Sequence, residues 1–118
     1  MNRLKPENGS FDNVVRECFK KNKNSCVSWF IQCSYCYYIL YQSLMTDQAF
    51  DKLCAWMLEN YDSLEHEHKD LVTKEMLSAG SGYNIPYDGY PLRVQNSASY
   101  FIEELYKSKG EQNAHIRK

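Results

Sequence analysis

The stretch "SYCYYILYQSLMTDQAFDKLCAW", Ser34 to Trp56, decides how the chain is read. A segment crowded with tyrosines runs into a short polar turn, and two aspartates then stand four residues apart at the head of the next apolar-periodic segment. Upstream, Cys26, Trp29, Phe30, Cys33, Tyr37, Leu40 and Tyr41 recur at helical spacing and form one apolar face. Asn24 or Ser25 can cap that helix, and the pattern carries it to about Gln42. "SLMTD" is then a turn, with Thr46 or Asp47 capping a further helix on Phe50, Leu53, Cys54, Met57 and Tyr61. Residues four apart are neighbours on a helix, so Asp47 and Asp51 share one face, next to the tyrosines Tyr37 and Tyr38 in the last part of the preceding helix.

Outward from this stretch the same periodicity predicts a first helix over about Ser10 to Lys21, with Ser10 as its cap and Phe11, Val14, Val15, Cys18 and Phe19 on its buried side. Leu64, Leu71, Val72 and Met76 predict a fourth helix from Ser63 to Ser78, ended by "AGSG". The glycines, prolines and tyrosines of 80–95 predict an ordered loop or a short β excursion rather than free disorder. Asn96 or Ser97 can cap a last helix on Ala98, Phe101, Ile102, Leu105 and Tyr106, ending near Gly110. The expectation is an all-α or mainly α compact bundle of about five helices, a single domain over 1–118 with 1–9 and 110–118 frayed.

A chain of 118 residues suffices for one core. Fourteen Lys+Arg against fifteen Asp+Glu leave a net charge of -1, so no global field draws the molecule to nucleic acid or to an anionic membrane. No charge occurs from Asn24 to Thr46, about the length of a membrane span, but Ser25, Ser28, Gln32, Ser34, Gln42 and Ser43 interrupt the run and argue against one. Five cysteines are an odd number and the N-terminal residues form no apolar signal segment, which together point to reduced thiols in a cytoplasm.

Cys33 and Cys36 form a C-x-x-C, and Cys18, Cys26, His66 and His68 could in principle join them around zinc. The pair falls inside a helix rather than on a knuckle, so buried thiols are expected and no metal. His66 and His68, two apart, point to different faces of a helix and read as solvated. "YDGY", Tyr87 to Tyr90, has the D-G of the nucleotide-attachment motif K-x-D-G, but Pro86 stands where the nucleophilic lysine belongs. Proline cannot form a phosphoramide, and a turn after Pro86 accounts for Asp88-Gly89. Taken by itself, Asp47 is a helix-capping anion and Asp51 a solvated carboxylate.

The order of residues in "YYILYQSLMTDQAFDKL" resembles the N-terminal helical segment of bacterial NAD-dependent DNA ligases, where an aromatic pair, a turn and D-x-x-Y-D hold the nicotinamide mononucleotide half of NAD. Tyr37 and Tyr38 match the aromatic pair, Asp47 and Asp51 the aspartates, Phe50 the tyrosine between them and Leu53 the core leucine that follows. The match covers about Cys33 to Met57, with looser helical agreement from Phe11 to Met76. The resemblance implies that these residues stack on nicotinamide and hydrogen-bond its ribose and carboxamide. Phe50 lacks the family's hydroxyl, and the usual proline of the turn is absent. The adenylation domain and the DNA-binding parts of a ligase are missing from the sequence, so ligation by this chain alone is not expected. In this it looks like ligase-related single-domain proteins of large bacteriophages.

Three functions follow as expectations. The first is a stand-alone module for nicotinamide mononucleotide (NMN) or NAD that complements or modulates a DNA ligase or a separate adenylation domain, or sequesters the nucleotide. The second is a protein-interaction module that has lost the site and uses the tyrosine-rich loop Tyr83 to Pro91. The third is a small NAD-hydrolysing enzyme in which Asp47 or Asp51 stabilises positive charge on ribose. Lys20, Lys21 and Lys52 are candidates for the phosphates.

Overall fold

In a computed structural model, which describes residues 5–113 and their side chains as far as 109, the protein is all-α. Among the described residues there are five α-helices: α1 (Asp12–Lys21), α2 (Ser25–Tyr38), α3 (Asp47–Glu59), α4 (Lys74–Ala79) and α5 (Leu92–Asn113). Single 3-10 turns lie at Tyr61–Ser63, Lys69–Leu71 and Tyr87–Gly89.

α2 is the axis. Every residue from Cys26 to Cys36 except Ser28 is buried, so the helix is surrounded rather than laid on a core by one face. α5 runs along it, α1 and α3 pack against it, and α4 packs on α3. Phe11 sits at 0% exposure between Trp29 and Phe101, with ring centroids 5.9 and 5.3 Å away, which joins α1, α2 and α5. Gln32, a polar residue in the middle of α2, donates from Nε2 to the Val94 carbonyl at 3.1 Å and so fixes the register of α5. No helix is long and apolar enough to cross a membrane among the described residues.

Four sequence expectations need correction. α2 ends at Tyr38, not near Gln42, because Tyr41 takes a left-handed conformation (φ 60°) and the Gln42 amide returns to the Cys36 carbonyl at 2.8 Å. The fourth helix shrinks to six residues. Leu64 and Val72 are both buried from extended backbone, and the Lys69 ammonium donates to the Leu64 carbonyl at 3.0 Å, so the segment between them turns instead of coiling. α5 begins four residues before Asn96, behind Pro91, whose carbonyl accepts from the Val94 amide at 3.0 Å; this brings Val94 into the buried row Val94, Ala98 and Leu105. Gly110 lies inside α5 rather than at its end.

Residues 5–9 are also held rather than frayed. Asn8 and Gly9 both have positive φ (55° and 81°) and close a tight turn in which Glu7 and Ser10 exchange backbone hydrogen bonds of 3.0 and 3.1 Å, the geometry that Asn-Gly favours. The Gly9 amide then donates to Ser108 Oγ on α5 at 2.9 Å. The expectation for 1–4 and 114–118 lies outside the described residues.

α4 stops in a Schellman cap. Gly80 is left-handed (φ 68°), its amide donates to the Leu77 carbonyl at 3.1 Å, and the Ser81 amide donates to the Met76 carbonyl at 3.0 Å. Two residues on, Gly82 lies against α2 so closely that a β-carbon there would come within 2.9 Å of Ser34 Cβ and 3.2 Å of Phe30 Cε2, and closer still to Ser34 Oγ. Gly82→Ala should therefore lower stability by about 1–3 kcal/mol, read as a drop in denaturant midpoint at unchanged m-value. Tyr41→Gly should act the other way. A left-handed tyrosine costs roughly 1–2 kcal/mol and glycine loses roughly 0.5–1 kcal/mol of backbone entropy, so the variant's midpoint should equal or exceed that of the wild type.

Candidate functional site

The C-terminal end of α2, the head of α3 and the turn after α4 meet around a cleft of about 330 Å³. Tyr37, Tyr38, Asp47, Phe50 and Asp51 all line it, together with Cys33, Ser34, the 43–45 segment and Gly80 to Gly82. Each wall follows from local folding. α2 can expose tyrosines at its end because Cys33 and Ser34, one turn back, are already buried and hold the helix in place. Leu44 and Met45 are buried anchors of the α2–α3 turn.

The head of α3 is set by carboxylates. Thr46 is its N-cap, with Oγ1 accepting from the Ala49 amide at 3.3 Å. Asp12 of α1 accepts in turn from the Thr46 amide at 3.0 Å and from the Thr46 hydroxyl at 2.6 Å. Asp47 stands in the first turn of α3 and Asp51 one turn on, both exposed, with an Asp51 oxygen 3.6 Å from where a β-carbon on Gly80 would lie. Asp12 and Asp47 thus already oppose the positive end of the helix dipole.

The two tyrosines differ in freedom. Tyr38 is hydrogen-bonded through its hydroxyl to Ser81 Oγ, which ties α2 to the opposite wall. Tyr37 meets Tyr38 edge to face, with centroids 4.9 Å apart, and is 53% exposed, so it offers the more accessible ring. Phe50 stacks on Phe30 at 5.5 Å and 17°, which fixes it as an apolar side of the cleft. Ser34 Oγ is buried and without a hydrogen-bond partner among the described residues.

Burial pushes the Cys33 thiol well above its ordinary pKa, with Cys36, Asp12 and Cys54 adding to the effect. It pushes Cys36 up to about 11, and burial with the Asp51 charge pushes Cys54 up to about 12. These are protonated, inert thiols at neutral pH. Lys20, Lys21 and Lys52 do not line the cleft; Lys20 instead pairs with Glu17 at 3.7 Å.

The Gly80–Gly82 wall was missed by sequence reading, which took "AGSG" only as a helix end. Two glycines two apart, one placed to leave a helix, were the available signal for close backbone packing. Tyr90 belongs elsewhere than expected: it is 4% exposed and packs edge to face on Tyr35 at 5.0 Å, so of the loop tyrosines only Tyr83 and Tyr87 face solvent.

A second, smaller hollow of about 240 Å³ lies on the far side of α2, where His66, His68 and Arg93 gather near Ser28. Neither histidine is helical, and His66 is not simply solvated: its Nε2 is 2.7 Å from Ser28 Oγ. The His68 amide donates to His66 Nδ1 at 3.0 Å, so the proton of the neutral ring sits on Nε2 and is donated to the serine. A histidine in that tautomer cannot take the serine proton, which excludes a Ser-His nucleophile here.

No protein-family model matches the chain, nor does any curated protein or solved structure.

Desolvation, then the neighbouring His68, lower the His66 pKa below its ordinary 6.5. The native state therefore binds fewer protons than the unfolded chain between that lowered value and 6.5. Stability held above pH 6.5 should be lost as pH falls through this window. His66→Gln should flatten the decline between pH 7.5 and 5.5 in denaturant titrations; parallel curves for variant and wild type would show that His66 carries none of it.

Proposed function

We propose that the protein is a binding module for nicotinamide mononucleotide or the matching half of NAD, and not a complete ligase. The observation that supports this is spatial: the five residues singled out by resemblance, on two successive helices, line one cleft together. Their chemistry suits the ligand. Oxidised nicotinamide in a nucleotide is a flat cation, and a tyrosine face attracts it by stacking and cation-π terms of about 0.5–2 kcal/mol. Carboxylates accept from ribose hydroxyls in charge-assisted hydrogen bonds of roughly 1.5–3 kcal/mol each. At about 330 Å³ the cleft is at the small end of ligand sites, which run from roughly 300 to 1,000 Å³, and fits half a dinucleotide better than the whole.

On this reading the module presents or withholds the nicotinamide half, and an adenylation domain or a DNA ligase is the partner on which it acts. A reducing cytoplasm suits five free thiols. The interaction-module reading draws on a different observation, the exposure of Tyr41, Tyr83, Tyr87 and Leu92 at 83, 62, 70 and 69%. Under it, Tyr83→Ala with Tyr87→Ala would abolish partner capture, and nucleotide would not affect that capture.

Ligand-dependent melting separates the readings, because a ligand at about 100 times its Kd adds roughly 2.7 kcal/mol to the folded state. The mononucleotide should raise Tm by several degrees and AMP should do little. Asp51→Asn should shrink the response and Tyr37→Ala abolish it, while Phe50→Tyr should leave it equal or larger. Free nicotinamide appearing during incubation with NAD would mark a hydrolase instead. If millimolar mononucleotide, NAD and nicotinamide riboside all leave Tm unmoved, the nucleotide reading fails.

A further inference from the structure

We infer that the cleft selects the cationic pyridinium nucleoside itself and discriminates against its 5′-phosphate, so that nicotinamide riboside binds more tightly than the mononucleotide. The inference rests on the nicotinamide reading above. It comes from the distribution of charge around the cleft. Among the described residues, Asp47 and Asp51 are its charged lining groups, and no lysine, arginine or histidine joins them.

Among the described residues, the feature that could receive a phosphate is the N-terminus of α3, and carboxylates already stand at it. Asp12 accepts from the Thr46 amide and hydroxyl at 3.0 and 2.6 Å, the Thr46 hydroxyl takes the Ala49 amide, and Asp47 occupies the first turn. A phosphate carries about -1.5 to -2 charges at neutral pH and would enter beside three carboxylates with no cation to offset them. The opposite wall is neutral: Gly80, Ser81 and Gly82, with the Ser81 hydroxyl already bonded to Tyr38. The pyridinium meets the reverse situation, an accessible Tyr37 ring and two carboxylates.

The test is calorimetric titration of the full chain with four probes: nicotinamide riboside, its mononucleotide, dihydronicotinamide riboside and free nicotinamide, each at low and at high salt. The riboside should bind roughly tenfold more tightly than the mononucleotide at low salt, with the gap narrowing at high salt as the repulsion is screened. The reduced riboside, whose ring is neutral, and free nicotinamide should both bind more weakly than the oxidised riboside. In Asp47→Asn with Asp51→Asn, which keeps the helix cap and the side-chain shape, riboside affinity should fall and the preference over the mononucleotide should shrink. Should that variant not fold, the salt dependence and the oxidised-to-reduced comparison in the wild type decide the matter alone. A mononucleotide that binds as tightly as the riboside or more so at low salt overturns the inference and leaves the nicotinamide reading standing. A reduced riboside that binds as well as the oxidised one overturns the role of the cation. Silence from every probe overturns both readings.

Discussion

The fold depends on burying α2 from every side. A helix with no charge and ten buried residues out of fourteen cannot rest at a surface, so α1, α3 and α5 must close around it and its polar groups must find partners within the protein. Gln32 finds the Val94 carbonyl and so registers α5, while Asn24, at the head of α2, accepts from the Glu65 amide at 2.9 Å and draws in the segment after α3. Such a helix has to emerge somewhere. It does so at Tyr37 and Tyr38, where side chains with apolar rings and polar tips can stand half in water. The aromatic wall of the cleft is thus the exit of the core helix, and rigidity of the core is passed directly to the rings that line the cleft.

What could be read in the sequence followed the rule that governs each element. Strong period-3.6 patterns placed α1, α2 and α3, and the spacing of Asp47 and Asp51 on α3 with the turn before it placed the cleft residues in the right relation. The failures occur where a local backbone choice overrode the period. Leu40 and Tyr41 continue the apolar stripe of α2, yet Tyr41 is left-handed and ends it, and no propensity predicts that conformation for a tyrosine. Leu64 and Leu71 mimic two turns of helix, but both Leu64 and Val72 reach the core from extended backbone. Asn8-Gly9 was a legible turn signal that went unread. The Gly80–Gly82 wall was not legible as a site, because a glycine pair reports that something approaches closely and not which helix does so.

That approach also joins stability to the geometry of the cleft. Gly82 can lie on Ser34 and Phe30 only without a side chain, and the Phe30 ring it covers is the one on which Phe50 stacks. The same turn carries Ser81 to the Tyr38 hydroxyl. The contacts that close the α4 end of the molecule are therefore those that set the width of the cleft, and an enlargement at residue 82 would be felt at Tyr38 and Phe50 before it reached α1 or α5.

The thiols complete the electrostatic picture. Cys33 lines the cleft and Cys54 lies behind it within reach of the Asp51 charge, so ionised sulfurs there would add negative charge and nucleophilic character in and behind the lining. Burial prevents both, since desolvation holds each thiol protonated and the Asp51 carboxylate reinforces this at Cys54. The charged aspartates stay at the solvent edge while neutral sulfur fills the space behind them. A cleft arranged this way carries its charge as carboxylates at the rim and keeps its sulfur neutral.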